Sequence, residues 1–185
     1  MHPDLTACLA RLTEHHSRLC PRQVLGVRMG LHAADLLDVA VDPASNDRRL
    51  LAVVETDGRF ADAVSVATGC WLGRRTLRLV DHGKVAVTVI DVRTERSVRL
   101  RPHPLARERA AAYAPDVASR WQVQLLAYQV MPAEDLLSTD RVALVVPIGW
   151  LLGRAGQRTL CAVCGEEVCG GKTSREATSA ILRHA

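Results

Sequence analysis

Residues 60–73 read FADAVSVATGCWLG, and they follow Leu50 to Val54, a run without charge that is typical of a buried strand. The segment predicts a short helix that ends in a turn of small residues around one thiol, Cys70. A strand followed by a helix and a glycine turn is a common way to hold a reactive side chain in a pocket. Cys70 alone supports this weakly, because cysteines in apolar surroundings are usually inert packing residues.

Two histidines and a second cysteine precede this segment. Residues 3–18 carry apolar side chains at spacings of three and four, which predicts an amphipathic helix that includes His16. Pro21 suits the first position of a second helix. Cys20 would then lie at the positive end of a helix dipole, which favours a thiolate, with His16 one turn away.

The middle of the chain predicts an antiparallel sheet followed by helices. Residues 76–80 and 85–92 are β-rich runs joined by a glycine turn, so they predict a hairpin, to which residues 97–101 add a strand. The later elements are expected to be helices at 105–113 and 117–130, one helical turn at 132–137 and a strand at 142–148. We therefore expect an α+β fold in which N-terminal helices pack on an antiparallel sheet, with the core domain in residues 1–148.

A small zinc-finger-like element is expected in residues 149–185, where the glycine content rises. Cys161 and Cys164 have the spacing of a zinc knuckle, in which two thiolates and a glycine turn hold the metal. Cys169 and His184 would complete a Cys₃His site if residues 174–184 form a helix. The alternatives are a redox pair or a finger without metal.

Composition excludes some classes of protein. The chain has 185 residues, of which 48% are hydrophobic, and a net charge of +4 carried almost wholly by arginine. The acidic residues are interspersed with the arginines, and there are only three Trp, two Tyr and one Phe, so nucleic-acid binding is not expected. No apolar stretch reaches the length of a membrane span, and no export signal is evident. We expect a soluble, cytoplasmic protein with reduced thiols.

Together these motifs resemble the FmdE-like family, proteins similar to the FmdE component of formylmethanofuran dehydrogenase. Three groups of residues carry the resemblance, in the family's order and spacing. They are His16, Cys20, Pro21, Gly26 and Arg28; then Glu55, Asp62, Ala63, Thr68, Gly69, Cys70 and Gly73; then Asp81, Gly83 and Lys84.

The resemblance implies a Cys/His pocket that binds a metal or a cofactor, in a chain that forms a homodimer. The implied ligands are His16, Cys20 and Cys70, which suit zinc, a related transition metal or an iron-containing cofactor with one position open. Haem is a lower-ranked option. The implied catalytic residues are Cys20, Cys70, Asp62 and Lys84, although Asp62 could instead cap a helix and Lys84 could be a solvated charge. The dehydrogenase reaction itself is not implied.

The chain departs from the family pattern at three positions. Arg18 replaces a histidine, Arg22 replaces a glycine, and Phe60 replaces a cysteine. Phe60 and Arg18 would make the pocket more apolar and more cationic, so we hypothesise an anionic or aromatic small-molecule ligand.

Three classes of function remain open. The first is a metal- or thiol-dependent enzyme, in which Cys20 holds a metal or acts as a nucleophile or redox thiol resolved by Cys70. The second is a non-enzymatic zinc-finger module that contacts a partner. The third is a metal chaperone or sensor.

Overall fold

The protein is described by a computed structural model that covers residues 3–41, 48–152, 158–161, 163–169 and 182–184, with the backbone alone at residues 3, 150, 169 and 182–184. The helices are α1 (Pro3–Thr13), α2 (Pro21–Leu37), α3 (Arg59–Thr68), α4 (Ala106–Tyr113), α5 (Arg120–Val130), α6 (Ala133–Leu136) and α7 (Ile148–Leu152). The strands are β1 (Leu50–Val54), β2 (Leu77–Leu79), β3 (Val87–Asp91), β4 (Ser97–Pro102), β5 (Leu137–Leu144), β6 (Arg158–Leu160), β7 (Glu167–Cys169) and β8 (Leu182–His184).

Within the described ranges, the main sheet has six strands in the order β2-β1-β3-β4-β5-β8, and β6 pairs with β7 in a separate hairpin. Helices and sheet together confirm the α+β fold. The predicted hairpin between residues 76–80 and 85–92 is wrong, because β1 lies between the two runs. β2 pairs parallel to β1, so the sheet is mixed rather than purely antiparallel. A central strand needs partners on both edges for its buried backbone groups, and β1 obtains them in this way.

The two faces of the sheet are covered differently. Ala52 and Val54 of β1 point into the main core formed with α1, α2 and α3, whereas Leu51 and Val53 pack with Leu151 of α7 on the opposite face. This double coverage explains why β1 is a charge-free run rather than an alternating one. The division of the chain at residue 148 stays a prediction.

Helix α2 crosses α3 at very short range. A Cβ atom built on Gly26 would lie 2.7 Å from the Ala63 Cβ, and one built on Gly30 would lie 2.7 Å from the Ala67 Cβ. The two glycines on one face of α2 therefore let the helix backbones approach, which brings the start of α2 against the segment that decides the fold.

Other element boundaries differ from the sequence prediction. Helix α1 ends at Thr13, whose hydroxyl donates to the Ala10 carbonyl, so His16 lies in a loop rather than on the helix. Strand β5 covers residues 137–144 and α7 begins at Ile148, where the sequence predicted one strand over 142–148. Most of the predicted loop at 42–48 lies outside the described residues, as does most of the predicted helix at 174–184, although residues 182–184 form a strand. None of the helices in the described ranges is long and apolar enough to cross a membrane.

Candidate ligand-binding site

A cavity of about 620 Å³ opens where the start of α2, the end of β4 and the helices α4 and α5 meet. Its size is within the usual range for small-molecule sites. Within the described ranges, its lining contains five Lys and Arg side chains and no Asp or Glu. The lining residues are Cys20, Pro21, Arg22, Leu25, Lys84, Val85, Ala86, Arg99, Arg101, Pro102, His103, Pro104, Ala106, Arg107, Trp121, Gln124 and Tyr128.

Cys20 is fixed at the edge of this cavity as the N-cap of α2. Its backbone is extended, with φ −136° and ψ 161°, and Pro21 follows at the first helical position. The side chain of Gln23 accepts the Cys20 backbone N–H through Oε1 at 2.8 Å. Gln23 is fully buried, so the turn that carries Cys20 is held from inside the core. The thiol therefore lies half-buried at the positive end of a helix of 17 residues.

The loop before Cys20 is held by the first turn of α3. The Nε2 atom of His16 lies 3.0 Å from Oδ2 of Asp62, and Arg59 donates from Nη1 to the Arg18 carbonyl at 2.8 Å. Neither His16 nor Asp62 lines the cavity. The N-cap of α3 is Gly58, so the alternative in which Asp62 caps this helix is wrong.

The cations of the cavity fall into two groups. Arg99 donates to both carboxylate oxygens of Glu55, at 2.6 and 2.8 Å, and Arg101 pairs with Asp140. The hydrogen bond from Arg99 to Glu55 raises the pKa of Arg99. The second group has no carboxylate within ion-pair distance among the described residues, and it supplies the net positive charge of the cavity. Its members are Arg22, Lys84 and Arg107.

Lys84 is placed by its own backbone. Its N–H donates to the Glu55 carbonyl at 3.1 Å, beside the N–H of His82, which donates to the same oxygen at 3.0 Å. The end of β1 thus holds the loop that carries Lys84 while the Glu55 side chain holds Arg99.

One face of α5 forms the opposite wall, with Trp121, Gln124 and Tyr128 at spacings of three and four. Arg28 of α2 fixes the C-terminal end of this helix by donating to the carbonyls of Tyr128 (2.9 Å) and Met131 (2.7 Å). Tyr128 is buried, which raises its pKa, whereas Trp121 is 45% exposed. A partly uncovered indole ring thus faces a cationic wall.

The sequence model of FmdE, molybdenum formylmethanofuran dehydrogenase operon, matches residues 15–138, which is more than half of the chain. The chain belongs to the FmdE family. This confirms the resemblance that the Cys20 and Cys70 motifs predicted.

Two further comparisons place this FmdE-family protein. The crystal structure of an FmdE-like protein of tungsten formylmethanofuran dehydrogenase, from Syntrophus aciditrophicus, superposes with a TM-score of 0.61 at 20% identity, covering 91% of this chain and 87% of that one. At this identity the likeness concerns the fold. A probable S-adenosyl-L-methionine-binding protein of Archaeoglobus fulgidus is 41% identical over 97 residues. That match covers 52% of this chain and 26% of the relative, so it spans about a quarter of the relative's length.

The second cysteine of the FmdE motif lies in the core rather than at the cavity. Cys70 is 1% exposed, and its thiol lies 3.3 Å from the Leu50 carbonyl, to which it donates. Burial raises the pKa of Cys70 to about 11, an effect that hydrogen bonds with Thr68 and Thr76 oppose. In this environment the neutral thiol is favoured, and Cys70 joins the end of α3 to the start of β1.

We expect the free energy of unfolding to fall between about pH 9 and pH 11 more steeply in the wild type than in Cys70→Ala. The folded state holds the Cys70 proton more tightly than the unfolded chain, where the ordinary pKa is 9.0. The contribution is therefore complete below pH 9 and lost as the pH rises through 11, about 2.7 kcal/mol in all for this rise in pKa. Urea unfolding at pH 8, 9 and 10 measures it. Parallel stability curves for the two proteins would contradict the assignment.

The predicted metal ligands are distributed over several elements. No group of three or more His, Cys, Asp or Glu side chains in the described part of the chain is placed to hold a metal ion. A core metal at His16, Cys20 and Cys70, and haem, stay predictions. In the C-terminal element the Cys169 backbone lies opposite Arg158 in the β6–β7 hairpin, and that of His184 lies opposite Val142 in the main sheet. The side chains of Cys169 and His184 lie outside the described parts.

Cys161 and Cys164 are described, and both are free thiols. The Gly165 N–H donates to the Cys161 carbonyl at 2.9 Å, and Gly165 adopts a φ of +72°, which favours glycine. Hydrogen bonds from the backbone N–H groups of Cys164 and Val163, together with the Cys164 side chain, lower the pKa of Cys161. The knuckle thus favours the thiolate form that zinc requires.

Several cavity residues were missed by sequence reasoning. Arg99 and Arg101 alternate along β4, which places both on one face of the sheet, and this period of two was the available signal. Trp121 was interpreted as core or dimer packing, and nothing in the sequence joined it to Cys20. The hypothesis that Phe60 and Arg18 shape the pocket is not supported by their positions, because neither lines the cavity. Phe60 is fully buried in the core instead.

Proposed function

We propose that this protein binds an anionic small molecule in the cavity and brings it against the Cys20 thiol, which acts as a nucleophile. The observation that carries the proposal is the lining itself. Within the described ranges it combines one accessible cysteine, five cationic side chains and no carboxylate. Such electropositive, partly exposed surroundings are typical of reactive cysteines, whereas buried cysteines such as Cys70 are inert.

The electrostatics of the cavity support both halves of this proposal. The N-terminus of α2 carries a partial positive charge, and Lys84 adds a full one, so a thiolate at Cys20 is stabilised by two separate sources. The same charges attract an anionic ligand and hold it beside the sulfur. Formation of a covalent bond by Cys20 would then need no proton acceptor inside the cavity, because the thiolate is the attacking species.

The rate of alkylation of Cys20 tests the proposal without knowledge of the substrate. Iodoacetate is anionic and iodoacetamide is neutral, while both form the same bond to sulfur. We expect Lys84→Met to lower the ratio of the iodoacetate rate to the iodoacetamide rate at Cys20 about fivefold. This corresponds to about 1 kcal/mol for the loss of one nearby charge at a solvated site. Peptide mass spectrometry assigns the modified cysteine.

The matched control is Arg141→Met, which removes an exposed cation that does not line the cavity. Its rate ratio is expected to equal that of the wild type. If Lys84→Met and Arg141→Met change the ratio equally, the cavity charge does not act on Cys20 and the proposal fails.

S-adenosyl-L-methionine is a second candidate ligand, favoured by the 41% identity to the Archaeoglobus protein. Its sulfonium group is a cation, and a cavity lined by cations opposes a sulfonium group. The alkylation assay includes it directly, because a ligand that fills the cavity slows the reaction of iodoacetamide with Cys20. Protection by S-adenosyl-L-methionine but not by phosphate would favour this second candidate.

A structural zinc ion remains a proposal for the C-terminal element, with Cys161, Cys164, Cys169 and His184 as its ligands. The lowered pKa of Cys161 supports it. Homodimer formation, the interaction module and the metal chaperone or sensor stay predictions.

A further inference from the structure

The cavity presents two different walls, and their chemistry narrows the class of ligand. Resting on the function proposed above, we infer that the occupant is a planar aromatic ring joined to a group with two or more negative charges. A purine nucleotide and an aryl phosphate share this chemistry. The cationic wall binds the charged group, and the α5 wall binds the ring.

The number of charges follows from the ion pairs. Arg99 and Arg101 are neutralised by Glu55 and Asp140, so each of these pairs adds little net charge to the cavity. The cations without a carboxylate partner in the described ranges are Arg22, Lys84 and Arg107. A single carboxylate would leave two of these charges uncompensated. A phosphate monoester, with a charge of about −1.5 to −2, is a closer match, and its three oxygens suit the fork of an arginine.

The ring follows from the state of Trp121. Tryptophan is usually well covered, yet Trp121 is 45% exposed while it lines the cavity. The N–H and carbonyl of the Gln124 side chain lie one turn along the same wall, where they can bond the edge of a heteroaromatic ring. Tyr128 is 2% exposed and closes the base of this wall. Stacking of a base on an exposed aromatic side chain contributes about 1–3 kcal/mol.

Four probes separate the two walls in isothermal titration calorimetry at one low ionic strength. They are adenosine 5′-monophosphate, phenyl phosphate, inorganic phosphate and adenosine. We expect the two ring phosphates to bind at least tenfold more tightly than inorganic phosphate or adenosine. We expect Trp121→Leu to weaken the two ring phosphates about tenfold and to leave inorganic phosphate unchanged, whereas Lys84→Met weakens all three phosphates. Tighter binding of one ring phosphate than the other identifies the source of the ring.

Leu126→Ala is the matched control for Trp121→Leu, because Leu126 is 49% exposed on the same helix and does not line the cavity. Its affinities are expected to equal those of the wild type. Equal affinities for inorganic phosphate and the ring phosphates would overturn the inference and leave the proposed function intact. Binding of adenosine as tight as that of its phosphate would overturn the charge argument. Failure of all phosphates to bind would refute the proposed function as well.

Discussion

Gly26→Ala is expected to lower the free energy of unfolding by about 2 kcal/mol, although alanine is the better helix former. The added Cβ would lie 2.7 Å from both the Phe60 carbonyl oxygen and the Ala63 Cβ. The first of these atoms belongs to the backbone of α3, so relief requires the two helices to separate. Overpacking of this kind costs about 1–3 kcal/mol or more, against a gain of about 1 kcal/mol in helix propensity.

Urea unfolding measures this difference, and Gly149→Ala is the control. Gly149 also lies in a helix, but a Cβ there meets no atom within 4 Å, so its replacement should be neutral or slightly stabilising. Separation of α2 from α3 would also displace Cys20, and the alkylation assay provides a second measurement. Equal stability of the two variants would show that α2 and α3 do not need the close contact.

The parts of the fold that depend on local pattern could be predicted from the sequence. Pro21 after an extended Cys20 predicts the start of α2, and the charge-free run from Leu50 predicts β1, because capping and burial act over a few residues. The partner of a strand is a different matter. Nothing within residues 76–92 indicates that β1, formed more than twenty residues earlier, separates the two β-rich runs. A glycine turn permits a hairpin, but the backbone groups of the buried β1 determine the pairing.

The same division applies to the site. Cys20 and Lys84 were predicted and both line the cavity, since each belongs to a motif with a turn or cap that fixes its backbone. Trp121 and Arg107 come to the cavity through the packing of α5 on α2, which Arg28 secures across a hundred residues of sequence. Contacts of that range leave no periodic signal. Residues of one motif can therefore serve different purposes, as Cys70 in the core and Cys20 at the cavity show.

Glu55→Gln is expected to lower the free energy of unfolding by about 3 kcal/mol. The Glu55 and Arg99 side chains are 6% and 16% exposed, and both oxygens of the carboxylate accept from the guanidinium. Removal of one partner leaves the other charge buried without compensation, which typically costs about 3–5 kcal/mol, and the lower limit applies because Arg99 also reaches the cavity. The double variant Glu55→Gln/Arg99→Gln is expected to recover part of the loss, since no unpaired charge remains.

Asp140→Asn is the matched control, because its partner Arg101 is 39% exposed and exposed pairs contribute about 1 kcal/mol or less. Glu55→Gln has a second expected consequence in the cavity. Arg99 loses its carboxylate and adds a full positive charge to the lining, so inorganic phosphate should bind about fivefold more tightly while the protein is less stable, a gain of about 1 kcal/mol. Opposite changes in stability and anion affinity are hard to obtain from general damage to the fold. Weaker phosphate binding in Glu55→Gln would show that Arg99 does not face the ligand, and the charge of the cavity would then rest on Arg22, Lys84 and Arg107 alone.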